Sequence, residues 1–565
     1  MQIKSTLNSI VKDALDKLDI KAQNITVSEA TKPEFGDFQY NGAMALAKEL
    51  KKNPRQIATD IANIIKDNEI FSKVEVAGPG FINLTINPKF LEANLKKALD
   101  SKAGVEKRAE PIRVVVDYSS PNMAKEMHVG HLRSTIIGDT LANLFEFLGD
   151  EVIRQNHIGD WGTQFGMLVA YFEESSKDAN VNLSDLEQFY KEAKARFDES
   201  EEFANKSRAN VVKLQSGDKE TLKLWQNFIE KSLKHCQDIY DSLNVKLDKS
   251  TIRGESFYND NLENIVKELE ENGIAKESKG AKCIFFEDSD NPLIVQKADG
   301  GYLYATTDLA AIKFRVHTLK AKRISYVVDA RQSEHFKQVF QTAKKVGFAK
   351  EDTILEHVAF GMMLDKSGRP FKTRDGGTVK LKDLIDEAIE RAKKVINKSN
   401  EYSDEELEHI ARVIGIGSLK YADLSINRTS NYIFDWDKML SLDGNTALYM
   451  QYAYARINSI LNKAPKVNQD FTPTFSDELE RRLALKILSL EDTLNRAYKE
   501  AMPHLITNYL YELTSLFMKF YESNPILKEE VTPNQRDSRL LLAKATANVI
   551  KTSLDILGIE VLERI

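Results

Sequence analysis

Two histidines and a glycine close the run Ser119-Ser120-Pro121-Asn122-Met123-Ala124-Lys125-Glu126-Met127-His128-Val129-Gly130-His131. An apolar stretch at 112–116 precedes this run, and helical periodicity over 132–148 follows it. The layout is strand, turn, helix. A helix N-terminus offers unpaired N–H groups and the positive end of the helix dipole, which suits a phosphate. His128 and His131 are three apart, share a face and can donate to the same phosphate oxygens. Gly130 lets a flat ring approach the backbone. The competing reading is a strand–helix junction with two surface histidines that cap the helix. A bare H-x-G-H favours the junction, whereas the longer run and its context favour the chemistry.

The elements that must position these residues are legible around them. Residues 151–156 read as a second strand, so a βαβ unit and a parallel sheet are expected. Next comes Gly159-Asp160-Trp161-Gly162-Thr163-Gln164-Phe165-Gly166. Residues 171 to about 250 are helical and charge-rich and look like an insertion. Strand signals return at 283–286, 293–295 and 324–328, and 355–363 is apolar. From Asp404 the pattern is helical, with breaks near 465–473 and 523–535. Ahead of all this, helical periodicity covers 3–18 and 41–68. Alternating segments at 73–76 and 81–86 flank Gly78-Pro79-Gly80 and read as strands. Residues 101–110 read as a linker. The fold class is α/β: a parallel-sheet core between an N-terminal unit and a C-terminal helical bundle.

Bulk properties narrow the function. The chain has 565 residues, enough for several domains, and 42% hydrophobic with 29% charged residues fits a globular protein. The sequence contains no run of 18 apolar residues and its N-terminus has no signal-peptide core, so a cytoplasmic protein off the membrane is expected. Cys236 and Cys283 are the only cysteines, too few for a disulfide framework or a four-cysteine zinc site. No HExxH or CxxC spacing occurs, and no metal ligands are assigned. The net charge of −6 does not announce a nucleic-acid binder, so RNA contacts would come from local basic patches.

The H-x-G-H run resembles the HIGH signature of class I aminoacyl-tRNA synthetases. Further segments extend the resemblance over nearly the whole chain, to arginyl-tRNA synthetases of the bacterial type. They are Phe35-Gly36-Asp37-Phe38-Gln39, the segment from Gly159, and Tyr302-Leu303-Tyr304-Ala305-Thr306-Thr307-Asp308. Later come Val328-Asp329-Ala330-Arg331-Gln332-Ser333-Glu334-His335, His357-Val358-Ala359-Phe360-Gly361-Met362 and Gln451-Tyr452-Ala453-Tyr454-Ala455-Arg456-Ile457. The resemblance implies an additional, tRNA elbow-binding domain at 1–105 and a Rossmann-type catalytic domain at 110–440 with a mostly helical insertion around 171–290. It implies a helical anticodon-binding domain at 441–565.

It also implies arginine–tRNA ligation: arginine and ATP give arginyl-adenylate and pyrophosphate, and the terminal ribose of tRNA(Arg) then takes the arginyl group. Activation by these enzymes usually needs tRNA, and Mg²⁺ is expected with ATP. His128, Gly130, His131, Lys125 and Met362 are the implied ATP residues. The second signature of the class, which sets lysines over pyrophosphate, falls on residues 366–377 in degenerate form. Lys125, Lys372 and Arg374 are the cations available there; alone, the segment reads equally as a basic surface turn. The guanidinium of arginine has five donors in a plane and needs carboxylates facing it. Asp308 and Glu255 are the implied acidic wall, Tyr304 and Gln332 complete the pocket, and Ser120 and Asn122 take the α-amino and carboxylate end. Tyr304 and Asp308 are spaced as neighbours on a helical turn. For tRNA, Tyr449, Tyr454 and Arg456 combine aromatic and cationic groups that stack on splayed bases, whereas Tyr452 reads as core packing. Phe81 and Asn83 fit the base-reading position of the N-terminal domain, or are ordinary strand residues. Residues 441–565 carry 15 Lys/Arg against 16 Asp/Glu, so this domain is no general polyanion binder.

Three other readings compete: a different class I synthetase, a tRNA-independent nucleotidyltransferase with the same histidine chemistry, and a non-catalytic RNA-binding paralogue. Two cysteines argue against cysteine charging. The helical domain after the site argues against the nucleotidyltransferase, and intact His128, Gly130, His131, Lys125 and Asp308 argue against the paralogue. A monomer is expected because no long heptad seam appears.

Overall fold

The computed structural model describes residues 2–22, 24–175, 186–371, 379–396, 402–465, 473–475 and 477–565. The chain divides into two compact units, one of residues 1–107 with 441–556 and 560–565, the other of 108–440 with 557–559.

The second unit is built on a four-stranded sheet. Its elements are β1 (Arg113–Asp117), α1 (Val129–Phe147), β2 (Glu151–Gln155), α2 (Tyr304–Lys313), β3 (Arg323–Tyr326), α3 (Ser333–Lys345) and β4 (Ile354–His357). The strand order is β4-β3-β1-β2, and every pairing is parallel. Val114, Val115 and Val116 are fully buried, as befits a central parallel strand covered on both faces. The chain leaves β1 toward β2 on one side and later enters β3 on the other. That reversal opens a crevice at the carboxyl ends of β1 and β3, where open α/β sheets bind ligands.

Between β2 and α2 lie the helices Thr163–Ser175, Leu186–Glu199, Glu201–Gln215, Lys219–Ser242 and Leu262–Glu271. They are followed by a three-stranded antiparallel sheet over 276–296. After β4 come the helices Leu381–Ile396 and Asp404–Leu424, the latter opened by a capping box of Ser403 with Glu406.

Helix α1 is buried almost all round. It lies so close to the chain leaving β1 that a Cβ on Gly138 would sit 2.2 Å from Cβ of Tyr118. Two buried ion pairs fix the surroundings. Arg315 Nη2 meets Asp117 Oδ2 at 2.7 Å, while its Nε donates to Gln155 Oε1 at 2.6 Å. Arg133 Nε meets Asp423 Oδ2 at 3.0 Å, and its Nη1 donates to the carbonyl of Gly361 at 2.7 Å.

The first unit has a four-stranded antiparallel sheet ordered Val27–Glu29, Phe38–Tyr40, Phe81–Ile86, Phe71–Ala77. The last two strands are the pair read from the sequence around Gly78-Pro79-Gly80. Asn53 and Asn87 cap the helices Pro54–Ile65 and Pro88–Lys97, each with proline at the first helical position. The helices Ala447–Lys463, Glu478–Leu488, Leu490–Glu500, His504–Ser523 and Pro533–Ile556 make up the rest. A two-armed ion pair of Arg481 with Asp37 ties sheet and helices together, and Asp37 Oδ2 also accepts from the amide of Ile86 at 2.6 Å. Asn548 Nδ2 donates to the carbonyls of Ala98, at 2.8 Å, and Asp100, at 2.6 Å.

Gly138→Ala is expected to destabilise the second unit by roughly 1–3 kcal/mol, the cost of overpacking a filled interior. A thermal melt followed by circular dichroism checks it; an unchanged midpoint would mean that α1 can back away from Tyr118.

Candidate active site

The crevice holds a cavity of about 860 Å³ whose wall includes Ser120, Asn122, His128, Gly130, His131, Glu255, Tyr304, Asp308, Gln332 and Met362. These ten residues, all expected from the sequence, come together from the turn after β1, the start of α1, the short helix Glu255–Asn261, α2, the start of α3 and the segment after β4. Lys125 is exposed and stands apart: its Nζ lies 4.8 Å from the ring centroid of Tyr190. Lys372 and Arg374 fall outside the described residues.

The turn after β1 is strained. Ser119 and Ser120 both have positive φ, 71° and 44°, a conformation that costs a non-glycine residue of order 1–3 kcal/mol. Hydrogen bonds hold it. Ser119 N donates to Ser134 Oγ at 2.9 Å and Ser120 N to Asn156 Oδ1 at 3.0 Å. Ser119 Oγ meets Tyr240 Oη at 2.8 Å, and Asn156 Nδ2 donates to the same phenol at 3.0 Å. Ser120 Oγ donates to Asp117 Oδ1 at 3.1 Å. Asn122 Oδ1 accepts from the amide of Ala124 at 2.9 Å.

Both histidines cap α1. Gly130 N donates to His128 Nδ1 at 3.0 Å, and His128 N donates to His131 Nδ1 at 3.1 Å. Each Nδ1 accepts from an amide, so each neutral ring carries its proton on Nε2. The rings lie 4.1 Å apart at their centroids. Burial, and then the neighbouring His128, push the pKa of His131 down to about 3, so it stays neutral. The result is a pair of Nε2–H donors beside the helix N-terminus, with His131 held neutral. Gly130 is needed for a reason the sequence did not disclose: a Cβ there would come within 2.7 Å of Cε1 of His128, so the flat ring at this glycine is the cap itself.

The cavity wall also carries the carboxyls of Glu255 and Asp308. Asp308 lies one turn after Tyr304 on α2, as its spacing predicted, and Tyr304 is exposed at the mouth. Burial, and then the charges of Asp160 and Asp308, raise the pKa of Glu255 to about 8. The carboxylate of Asp160 holds the turn that carries Glu255, accepting from Ser256 N at 2.9 Å and from Ser256 Oγ at 2.6 Å. Gly254 makes room for it, since a Cβ would lie 2.2 Å from Asp160 Oδ2. His335 Nε2 lies 2.6 Å from Asp308 Oδ2. Sequence reasoning quoted Asp160 and His335 within motifs but gave them no role, and it missed Asp117, Asn156, Tyr240 and Arg315.

The tRNA candidates lie in the first unit. Tyr449 is half-buried and Arg456 sits 4.8 Å from the ring centroid of Tyr521. Phe81 is half-buried on its strand. Asn83 is buried, with Oδ1 accepting from Gln39 Nε2 at 2.7 Å. Tyr454 is buried near Glu563, whereas Tyr452, read as core, is exposed. The ring faces of this helix thus divide opposite to the sequence reading, and Asn83 and Tyr454 offer no open face to a base.

A parallel sheet whose switch point bears an H-x-G-H helix start is the catalytic architecture of a class I aminoacyl-tRNA synthetase, and a family model for "tRNA synthetases class I (R), catalytic domain" matches residues 94–436. Models for an "Arginyl tRNA synthetase N terminal domain" and a "DALR anticodon binding domain" match 3–86 and 450–565. The chain is 51% identical to an arginine–tRNA ligase of Chromobacterium violaceum, over 100% of both chains. Among solved structures it is similar to the arginyl-tRNA synthetase of Plasmodium falciparum, with 32% identity, TM-score 0.88, and 100% and 99% of the two chains covered. The arginyl-tRNA synthetase of Thermus thermophilus shares the fold, with 24% identity, TM-score 0.85 and full coverage of both chains. The chain belongs to the arginyl-tRNA synthetase family.

Gly130→Ala is expected to turn the His128 ring out of its cap and slow amino-acid activation by about 10²-fold, the worth of one well-placed donor. The lost cap bond itself costs only about 1 kcal/mol, so the fold survives. Pyrophosphate exchange on the folded variant checks this, and a wild-type rate would show that the ring's position is unimportant.

Proposed function

We propose that this cavity activates arginine for an arginine–tRNA ligase, with its carboxyls taking the guanidinium and its histidines taking the α-phosphate of ATP. The observation that carries the assignment is that one cavity wall holds both a group of carboxyls and a helix N-terminus capped by two histidines. Glu255 and Asp308 are the carboxyls, and His128 and His131 are the two Nε2–H donors at the helix N-terminus.

The guanidinium needs acceptors in its own plane. Glu255 and Asp308 supply them, with Tyr304 and Gln332 beside them. Ser120 and Asn122 orient the α-amino and carboxylate end. The substrate carboxylate then attacks the α-phosphorus, a new P–O bond forms, and the bond to pyrophosphate breaks. His128 and His131 donate to the oxygens that gather charge, a task of positioning and charge stabilisation. In the second step a hydroxyl of the terminal tRNA ribose takes the arginyl group and AMP leaves. Lys125, Lys372 and Arg374 are the cations assigned to the pyrophosphate. Among the described residues no three His, Cys, Asp or Glu side chains group as a metal cage, so Mg²⁺ is assigned to the ATP phosphates themselves. For tRNA, Phe81, Tyr449 and Arg456 retain accessible faces and are the contacts proposed. A monomeric cytoplasmic enzyme completes the reading; among the described residues no helix is long and apolar enough to cross a membrane.

Pyrophosphate exchange over a panel of amino acids, with and without tRNA, tests the pocket. Exchange with arginine is expected, and exchange with another amino acid instead would sink the assignment of Asp308 and Glu255. His131→Asn is expected to depress activation while leaving tRNA binding intact, and equal loss of both would remove the role given to His131.

A pH dependence follows from Glu255. Burial and the charges of Asp160 and Asp308 keep its proton on up to about pH 8, whereas a bound guanidinium requires the carboxylate. Binding at neutral pH therefore expels a proton, and affinity should rise with pH up to about 8, by at most about tenfold per pH unit, then level off. Titration calorimetry in buffers of different ionisation heat should register about one proton released per arginine at pH 7, and Glu255→Gln should abolish the release. Equal heats in all buffers would show that Glu255 is already ionised.

A further inference from the structure

Asp308 has a partner that the proposed pocket does not yet use. Its Oδ2 lies 2.6 Å from Nε2 of His335, which stands in the first turn of α3, while Asp308 stands on α2. A carboxylate can only accept, so His335 Nε2 carries the proton of this bond. Oδ1 of Asp308 has no hydrogen-bond partner among the described residues, and both Asp308 and His335 line the cavity. His335 follows Gln332 by three residues, which puts the two on one face at the start of α3. The edge of the imidazole is set against Phe336, with ring centroids 5.4 Å apart at 75°.

We propose that His335 is a positioning residue for arginine selection: it holds one oxygen of Asp308 so that the carboxylate plane is fixed and the other oxygen is presented to the guanidinium. The inference rests on the pocket reading above and adds a residue to it. An aspartate on a helix can rotate about two torsions, and a planar fork with several donors loses most when its acceptor turns. Glu255 is steadied through its backbone, because Asp160 grips the Gly254–Ser256 turn. Asp308 is steadied through its side chain, by His335. The two acidic groups thus reach the substrate by different routes, and the second depends on one hydrogen bond between helices.

The test is pyrophosphate exchange by the full chain with saturating tRNA, varying arginine and ATP separately, for His335→Ala, His335→Gln and Asp308→Asn. His335→Ala is expected to raise KM for arginine by about 10- to 100-fold, the worth of a hydrogen bond to a charged group, with kcat and KM for ATP changed less than about threefold. His335→Gln returns a donor to the position of Nε2 and is expected to recover most of the loss, which a purely packing role would not allow. An unchanged arginine KM in His335→Ala would overturn the proposal. So would a loss spread equally over arginine, ATP and kcat, or a glutamine variant as impaired as the alanine one. Asp308→Asn separates the two levels: a strong arginine defect there without one in His335→Ala sinks only the positioning role, whereas no defect in Asp308→Asn sinks the pocket reading and His335 with it.

Discussion

The turn Ser119–Ser120 is where the structure is most constrained. Two consecutive non-glycine residues in the left-handed region are held by partners on four different elements. These are Ser134 on α1, Asn156 just after β2, Tyr240 on the helix Lys219–Ser242, and Asp117 at the end of β1. Asp117 is in turn fixed by Arg315, whose guanidinium is fully buried. Removing one partner of such a pair would leave a buried charge uncompensated, a cost of about 3–5 kcal/mol. The strain is therefore sustained by a network, and the network decides where the chain goes next: past Asn122, into the cap of α1, and so to the two histidines. Any relaxation of the turn would move the cavity wall relative to the sheet.

How much of this the sequence discloses depends on how far apart the partners are. The H-x-G-H run, the strands around it and the Tyr304–Asp308 spacing are local, and periodicity with helix-start chemistry reveals them. The pairing of Asp117 with Arg315 spans 198 residues and that of Ser119 with Tyr240 spans 121. Nothing in composition or spacing marks Arg315 or Tyr240 as partners of that turn. Gly130 shows a middle case, since a requirement for glycine is visible in the sequence but its cause, the His128 ring, is visible only in three dimensions. The same holds for the Phe35-Gly36-Asp37-Phe38-Gln39 segment. Its aspartate faces Arg481 across most of the chain, so the motif serves to fasten sheet to helices within the first unit. The tyrosines of the helix Ala447–Lys463 went the other way because Tyr452 and Tyr454 are two positions apart, and a helix puts such positions on different faces. The pattern alone could not say which face is buried.

The carboxyls of the cavity obey a constraint of their own. The charges of Asp160 and Asp308 both act on Glu255, and the site shares out hydrogen bonds and one proton among the three. Asp160 accepts two hydrogen bonds from Ser256, Asp308 accepts one from His335, and Glu255 retains a proton. A planar cation relieves the repulsion that raises Glu255, and it can satisfy several acceptors at once. A compact ammonium would leave acceptors unpaired in a partly dry site, which is the costlier failure. In the proposed pocket, selectivity for arginine over lysine thus comes from unmet acceptors as much as from attraction.

The histidines work by the opposite principle. A protonated imidazole would attract phosphate more strongly, but it would also bind the leaving pyrophosphate and change strength with pH. Here burial and the adjacent ring keep His131 neutral, and capping fixes its tautomer. Neutral donors held in place need no reorganisation as charge gathers on the α-phosphate, which is what makes preorganised groups effective. They draw further strength from the amides at the start of α1, whose dipole adds positive potential at no cost in mobile charge. In the proposed mechanism the capping bonds are therefore part of the chemistry. By occupying each Nδ1 with an amide, they dedicate each Nε2 to donation, and a substitution that keeps an imidazole but frees it from its cap would lose both orientation and protonation state together.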